Sequence, residues 1–171
     1  HTSCLYPMSI LNGEGAHCEF TGVTFAGKGQ YLDTGSKVVH NAPHTTSNIN
    51  SKSISKDGGV CIYRGSVVIN ECAEGSKSNV SCESLMLDEQ SQSDTIPAIV
   101  IKNDNVDLGH EAKIGRISDE AIFYLMSRGL SEDEARAMLV RGFVDPVSKA
   151  LPLEYAVEMN NLINLELKGS M

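Results

Sequence analysis

Tryptophan is absent and aromatic residues make up only 5% of the 171-residue chain, which removes the flat platforms on which sugar-binding proteins stack their ligands. Basic residues are also scarce: 14 Lys and Arg face 22 Asp and Glu, for a net charge of -8. A sequence-independent grip on nucleic acid or anionic lipid therefore has no electrostatic support, and neither partner is expected. No apolar run approaches the roughly 18 residues that a membrane span needs, and no basic segment leads into an apolar one at the start of the chain. A soluble, unexported protein is expected. Close cysteine pairs are missing as well, since Cys4, Cys18, Cys61, Cys72 and Cys82 are odd in number and ten or more residues apart. That spacing excludes a disulfide framework or a paired-thiol zinc site and points to a reducing compartment, the cytoplasm or a plastid stroma. No Gly-x-x-x-x-Gly-Lys-Ser/Thr loop occurs, so ATP binding is not expected of this chain. It begins at His1 without methionine and reads as a fragment, with part of the function upstream.

What is present divides into two textures. Up to about residue 113, short apolar stretches rich in Val, Ile, Ser, Thr and Asn alternate with turn clusters such as Gly27-Lys28-Gly29, Asp57-Gly58-Gly59 and Asn103-Asp104-Asn105. This is strand patterning. Strands are expected at Glu19 to Ala26, Lys37 to His40, Gly59 to Tyr63, Ser66 to Asn70, Asn79 to Leu87, Thr95 to Ile101 and Val106 to Ala112. Two-residue hairpin signals are nearly absent, which speaks against antiparallel pairing. Polar corners between β-branched stretches suit a parallel solenoid, although no strict repeat is visible and the pattern alone leaves solenoid and sandwich open.

From Ile117 onward the pattern is helical. Ser118 is an N-cap ahead of Asp119 and Glu120, and Gly129 stops that helix. Ser131 and Glu134 form a capping box for a second helix, which Gly142 is expected to close. Pro152 opens a third, carrying Leu153, Ala156, Val157 and Ile163. The division expected is a β-helix core over 1–115 and a helical subdomain over 116–171.

Several stretches taken together carry a resemblance. Asp33-Thr34-Gly35-Ser36-Lys37 with His40-Asn41-Ala42-Pro43, Ser51-Lys52-Ser53-Ile54-Ser55, Tyr63-Arg64-Gly65, Cys82-Glu83-Ser84-Leu85-Met86, and His110-Glu111-Ala112-Lys113-Ile114-Gly115 leading into Phe123-Tyr124-Leu125-Met126-Ser127-Arg128-Gly129 resemble the C-terminal part of the SufB/SufD family of iron-sulfur cluster assembly scaffolds. The resemblance implies an all-β right-handed parallel β-helix followed by a small helical subdomain. It also implies a transient iron-sulfur cluster, and a complex with the ATPase SufC and with SufD or a second SufB-like subunit. Sulfur would arrive through the upstream region. Cys82 and Glu111 resemble the SufB branch more than the SufD branch.

The residue chemistry is compatible with that pair. A thiolate holds iron in sulfur clusters, and a harder carboxylate beside it gives a site that can fill and then empty. If strands around Cys82 and Val106 to Ala112 stack in one sheet, Cys82 and Glu111 are expected to face one site. Alternation puts Glu111 on the exposed face and His110 on the more buried one; His110 is either a ligand or its orienting partner, or a packed histidine. Cys4, Cys18, Cys61 and Cys72 are expected to be structural, as a small buried thiol commonly is. His40, His44 and the Asp33 to Lys37 corner read as features of the fold. In the helical part, Phe123, Tyr124, Arg128 and Arg136 are the expected docking residues for SufC. Two other functions remain open: a SufD-like structural subunit without metal chemistry, and a solenoid carbohydrate-active enzyme, which would need paired carboxylates on a solvent face.

Overall fold

Every turn cluster ends one strand and starts the next, and from the fourth strand on each lies on the strand two before it. The computed structural model describes residues 1–168. Its strands are β1 (Thr2–Leu5), β2 (Met8–Leu11), β3 (His17–Ala26), β4 (Tyr31–His40), β5 (Thr46–Ser55), β6 (Val60–Ile69), β7 (Lys77–Met86), β8 (Gln92–Ile101) and β9 (Asp107–Arg116). The even strands stack in the order β4-β6-β8, with β1 and β2 both on β4, and the odd strands stack as β3-β5-β7-β9. All pairings are parallel, and partners lie 29 to 32 residues apart. The protein is a parallel β-solenoid, each coil resting in register on the last.

Several strand expectations change. Strands β1 and β2 were not expected, and β4 starts at Tyr31, so the Asp33 to Lys37 segment lies inside a strand with Asp33 and Ser36 buried and is not a corner. Gly59 to Tyr63 and Ser66 to Asn70 belong to one unbroken strand, β6, because Gly65 lets the chain pass close to the Tyr63 ring, which a β-carbon there would meet at 3.3 Å. Strand β5 was not expected. Its sequence, Thr-Ser-Asn-Ile-Asn-Ser-Lys-Ser-Ile-Ser, is too polar to read as a half-buried strand, because here serine faces inward and asparagine outward.

The interior has two halves. Val38, Ile49, Val67, Ile69 and Val80 form an apolar layer, and Ser47, Ser51, Ser53, Ser55, Ser78 and Ser84 form a buried hydroxyl layer. Burying a hydroxyl is tolerable only when it is paired, and in-register stacking supplies many of the partners. Ser47 Oγ lies 2.8 Å from Ser78 Oγ, and Thr45 Oγ1 2.7 Å from Ser76 Oγ. The fully buried His40 joins both ladders, with Nδ1 2.8 Å from Thr45 Oγ1 and Nε2 2.9 Å from Ser47 Oγ.

The corners repeat too. His44 has φ 59° and takes the corner position that Gly15 and Gly75 hold on neighbouring coils, with φ of 70° and 67°. A β-carbon on Gly75 would come within 2.5 Å of His44 Nδ1.

Helices α1 (Asp119–Met126), α2 (Glu132–Ala150) and α3 (Leu153–Lys168) follow. Ser118 caps α1 by accepting from Ala121 N–H, and the Ser131 and Glu134 capping box starts α2. Gly142 does not end α2, which runs through it and through Pro146 to Ala150. The reason is tertiary: Val140, Val144 and Val147 are buried along one stripe, and that burial outweighs a glycine cost of about 1 kcal/mol and a proline cost of about 3. Val140, Val144 and Ile163 pack with Ile54 and Leu87, with Phe25 and Leu85 beside them, so α2 and α3 cover the outer face of the odd-strand sheet near its C-terminal ends. Among the described residues, no helix is long and apolar enough to cross a membrane.

Two outcomes are expected. Gly75→Ala, which needs a left-handed backbone and pushes a methyl into His44, should destabilise the fold by at least about 1 kcal/mol in urea titration; an unchanged midpoint would contradict the corner geometry. Burial holds the His40 pKa below its ordinary value, so below about pH 6.5 the unfolded chain binds a proton that the folded chain resists. The contribution of His40 is complete above that pH and is lost as pH falls toward the folded value. The thermal midpoint should drop between pH 7.5 and 5.5, and His40→Gln should flatten that dependence.

Candidate functional site

The geometry around Cys82 follows from register. On β7 and β9 the partners are Val80 with His110, Ser81 with Glu111, and Cys82 with Ala112. Cys82 therefore points inward, in a column of small residues, Gly22, Ser51, Cys82 and Ala112, one coil before its end. It is 2% exposed, and burial pushes its thiol up to about 11. Tyr63 belongs to the same core. Its hydroxyl lies 2.6 Å from Ser36 Oγ, and burial, with the Cys82 charge as a lesser contributor, pushes its pKa up to about 12. At neutral pH this thiol is protonated, whereas a metal ligand must be a thiolate.

Glu111 lies on the other side of the sheet. The expectation that it and Cys82 face one site rests on their 29-residue separation, but β7 and β9 stack at 30 residues, and a one-residue offset turns a side chain to the opposite face. The Glu111 side chain is 60% exposed and pairs with Lys113 at 2.9 Å. His110, by contrast, shares the inward face with Cys82, diagonally displaced toward the last coil. It is exposed, as Glu111 is, because no further strand covers β9 among the described residues. The inward side chains Ile99, Ile101 and Ile114 of the last coil are likewise open, at 40%, 48% and 47%. Among the described residues, no three His, Cys, Asp or Glu side chains converge as a ready metal site.

The other cysteines occupy distinct places. Cys61 is buried and donates to Ile54 O at 3.3 Å, Cys72 is exposed and donates to Asn41 O at 2.8 Å, Cys4 is exposed and Cys18 is half-buried. Sequence reasoning missed a charged row outside the odd-strand sheet. Lys52, Glu83 and Lys113 align across β5, β7 and β9, with Lys52 and Glu83 ion-paired. Phe143 of α2 places its ring over the Lys52 ammonium, 4.5 Å from the ring centre. The alternating charges at Lys52 and Glu83 were visible signals, but their alignment depends on the unexpected strand β5.

On the helices, Phe123 and Tyr124 are 74% and 56% exposed, and Arg128 donates to the Tyr124 hydroxyl at 3.0 Å. Arg136 was expected to be free for a partner but is engaged within the chain. Its Nη1 donates to Leu87 O at 3.0 Å, and Nε and Nη2 donate to Glu132 at 3.0 and 2.8 Å. It fastens α2 to a solenoid corner.

A parallel β-solenoid flanked by helices, with a buried thiol one coil before its open final coil, defines a class of stacked-coil fold. The chain belongs to the SufBD family: the family's profile, described as SUF system FeS cluster assembly, SufBD core domain, matches residues 1–143. An iron-sulfur cluster assembly SufBD family protein of Staphylococcus saprophyticus is 54% identical over 166 residues, covering 97% of this chain and 36% of the relative. The iron-sulfur cluster assembly protein SufB of Bacillus subtilis shows the same identity and coverage. The chain thus spans about a third of the length of these curated relatives.

Engineered cysteines test the register. Cys82 with Ala112→Cys should form a disulfide on mild oxidation, since paired parallel strands bring α-carbons within disulfide range, roughly 5 Å. Cys82 with Glu111→Cys should not, because the two side chains lie on opposite faces. The reverse result on non-reducing mass analysis would refute the placement.

Proposed function

We propose that this chain is the C-terminal part of a SufB-type scaffold on which an iron-sulfur cluster is built and then handed on, with Cys82 as a thiolate ligand and Glu111 as a carboxylate ligand. The chain performs no catalysis in this reading; ATP hydrolysis belongs to a SufC partner, and sulfur arrives through the region upstream. The observation that carries the reading is the open last coil. Ile99, Ile101 and Ile114 lie uncovered at the end of an otherwise filled core, and β8 and β9 present unpaired backbone edges among the described residues. Such an edge recruits another strand, which supports stacking of a SufD or second SufB-like solenoid beside Cys82 and His110.

The two donors, Cys82 on β7 and Glu111 on β9, lie on opposite faces of the sheet, so a cluster held by both requires β9 to lift from β7. Lifting exposes the thiol to water and metal, both of which favour the thiolate. It also brings Glu111 and His110 to one opening. A mixed thiolate and carboxylate site formed by displacement is easily emptied again, as transfer requires. Phe123, Tyr124 and Arg128 form the surface offered to SufC, while Arg136 serves to anchor α2. A SufD-like structural role without metal chemistry is the second reading, favoured by the burial and raised pKa of Cys82.

Anaerobic reconstitution of the full-length protein with its partners separates the two. Cys82→Ser and Glu111→Gln should each lose most of the visible absorbance and bound iron while folding normally, and Cys72→Ser should retain both. Normal cluster content in Cys82→Ser would leave the structural reading standing.

A further inference from the structure

Four charges alternate along the outside of the odd-strand sheet, and α2 shelters the Lys52 end of the row. Lys52, Glu83 and Lys113 lie side by side on β5, β7 and β9, and Glu111 sits two residues before Lys113 on the same face. Side-chain exposure is low at the inner pair, 13% for Lys52 and 30% for Glu83, and high at the outer pair, 63% for Lys113 and 60% for Glu111. The inner pair, Lys52 with Glu83, is sheltered by Phe143 of α2, whose ring lies over the ammonium. Phe143 also reaches the groove lined by Glu83, Ala112 and Lys113. On the other side, Lys52 and Glu83 line an open cavity of about 340 Å³ flanked by Pro146, Val147 and Ala150 of α2. The remaining carboxylate lining that cavity, Glu19, is held by Asn48 at 3.4 Å.

Lys113 therefore stands between two carboxylates. Glu83 is its partner across the strands and Glu111 its neighbour along β9, and Glu111 has it at 2.9 Å. Glu83 is paired with Lys52, yet it lies near enough to Lys113 to act on its charge. The hold of Lys52 on Glu83 depends on exclusion of water, since an ion pair uncovered to solvent is weakened by screening. We propose that Glu83 and Lys113 form a two-position switch operated by α2: with Phe143 seated on Lys52, Glu83 stays with Lys52 and Lys113 neutralises Glu111, and when Phe143 withdraws, Glu83 turns to Lys113 and Glu111 is set free. Lys52, Glu83 and Lys113 are positioning residues in this scheme, and Phe143 is the element that displacement of α2 would move. The pairing exchange is a property of the row itself; its consequence for iron rests on the reading of Glu111 as a ligand.

Carbodiimide coupling, which joins a lysine to the carboxylate it touches, reads the pairing directly in the full-length protein. Peptide mass analysis of the unaltered protein should find Lys52 joined to Glu83 and Lys113 joined to Glu111. In Lys52→Met and in Phe143→Leu, the product joining Lys113 to Glu83 should rise by about fivefold at the expense of the Lys113 to Glu111 product. Adding Glu83→Gln to either variant should restore the original Lys113 to Glu111 yield. Phe143→Leu retains Lys52 and an apolar side chain, so it gives a reading even if Lys52→Met folds poorly. Unchanged Lys113 products in Phe143→Leu would overturn the switch. If the products change as expected while Glu111→Gln still builds clusters normally, the switch stands and the ligand reading of Glu111 falls.

Discussion

In-register parallel stacking is the constraint on which the rest of the molecule depends. Once His17 lies on Thr46 and Thr46 on Lys77, the backbone ladder dictates which residue sits above which for the length of each strand. Side chains then meet their counterparts one coil away. Ser47 meets Ser78, and Asn41 donates to Asn12 while accepting from Asn70 at the corners. The interior can afford so many hydroxyls because stacking gives most of them a neighbour of the same kind. Ser55, Ser93 and Thr95 remain without protein partners, all toward the strand ends that precede or follow the Gly27, Gly58 and Gln90 corner.

The same constraint leaves the last coil incomplete. A stack of coils buries its interior only where another coil follows, and the inward isoleucines of β8 and β9 have none among the described residues. The helices do not cover this end; α2 and α3 lie against the outer face of the odd-strand sheet. Their packing brings Phe143 onto Lys52 and Arg136 onto Leu87 O, so the helical part grips the solenoid at charged and backbone positions as well as through the apolar stripe. A displacement of α2 is thus transmitted to the row of charges that ends at Glu111.

Much of this was legible in the residues. Ser118 and the Ser131 and Glu134 pair marked the helix starts because capping is local chemistry, and the turn clusters marked most strand ends. Strand β5 was not legible, since an inward serine is favourable only when another serine lies above it, a fact of the stack and not of the segment. Gly142 misled for a related reason: its local cost is outweighed by Val140 and Val144 packing on Ile54 and Leu87. For the candidate site, Cys82, His110 and Glu111 could be picked out, and alternation set Glu111 outward and His110 inward, but the face of Cys82 relative to Glu111 could not be read. A coil of 30 residues instead of 29 between β7 and β9 puts Cys82 inside and Glu111 outside, and nothing in the spacing of turn residues distinguishes the two lengths.

The central claim is that Cys82 is sealed in the resting coil and becomes a ligand only when the last coil opens within the assembly. Alkylation footprinting of the full-length protein, alone and then with its SufC and SufD-like partners under ATP turnover before iron is added, tests this most directly. The account predicts that Cys82 is protected in the isolated protein while the exposed Cys4 is modified, and that Cys82 approaches the reactivity of Cys4 in the working complex. Cys82 as reactive as Cys4 in the isolated protein, or protected throughout in a complex that goes on to build clusters, would contradict it.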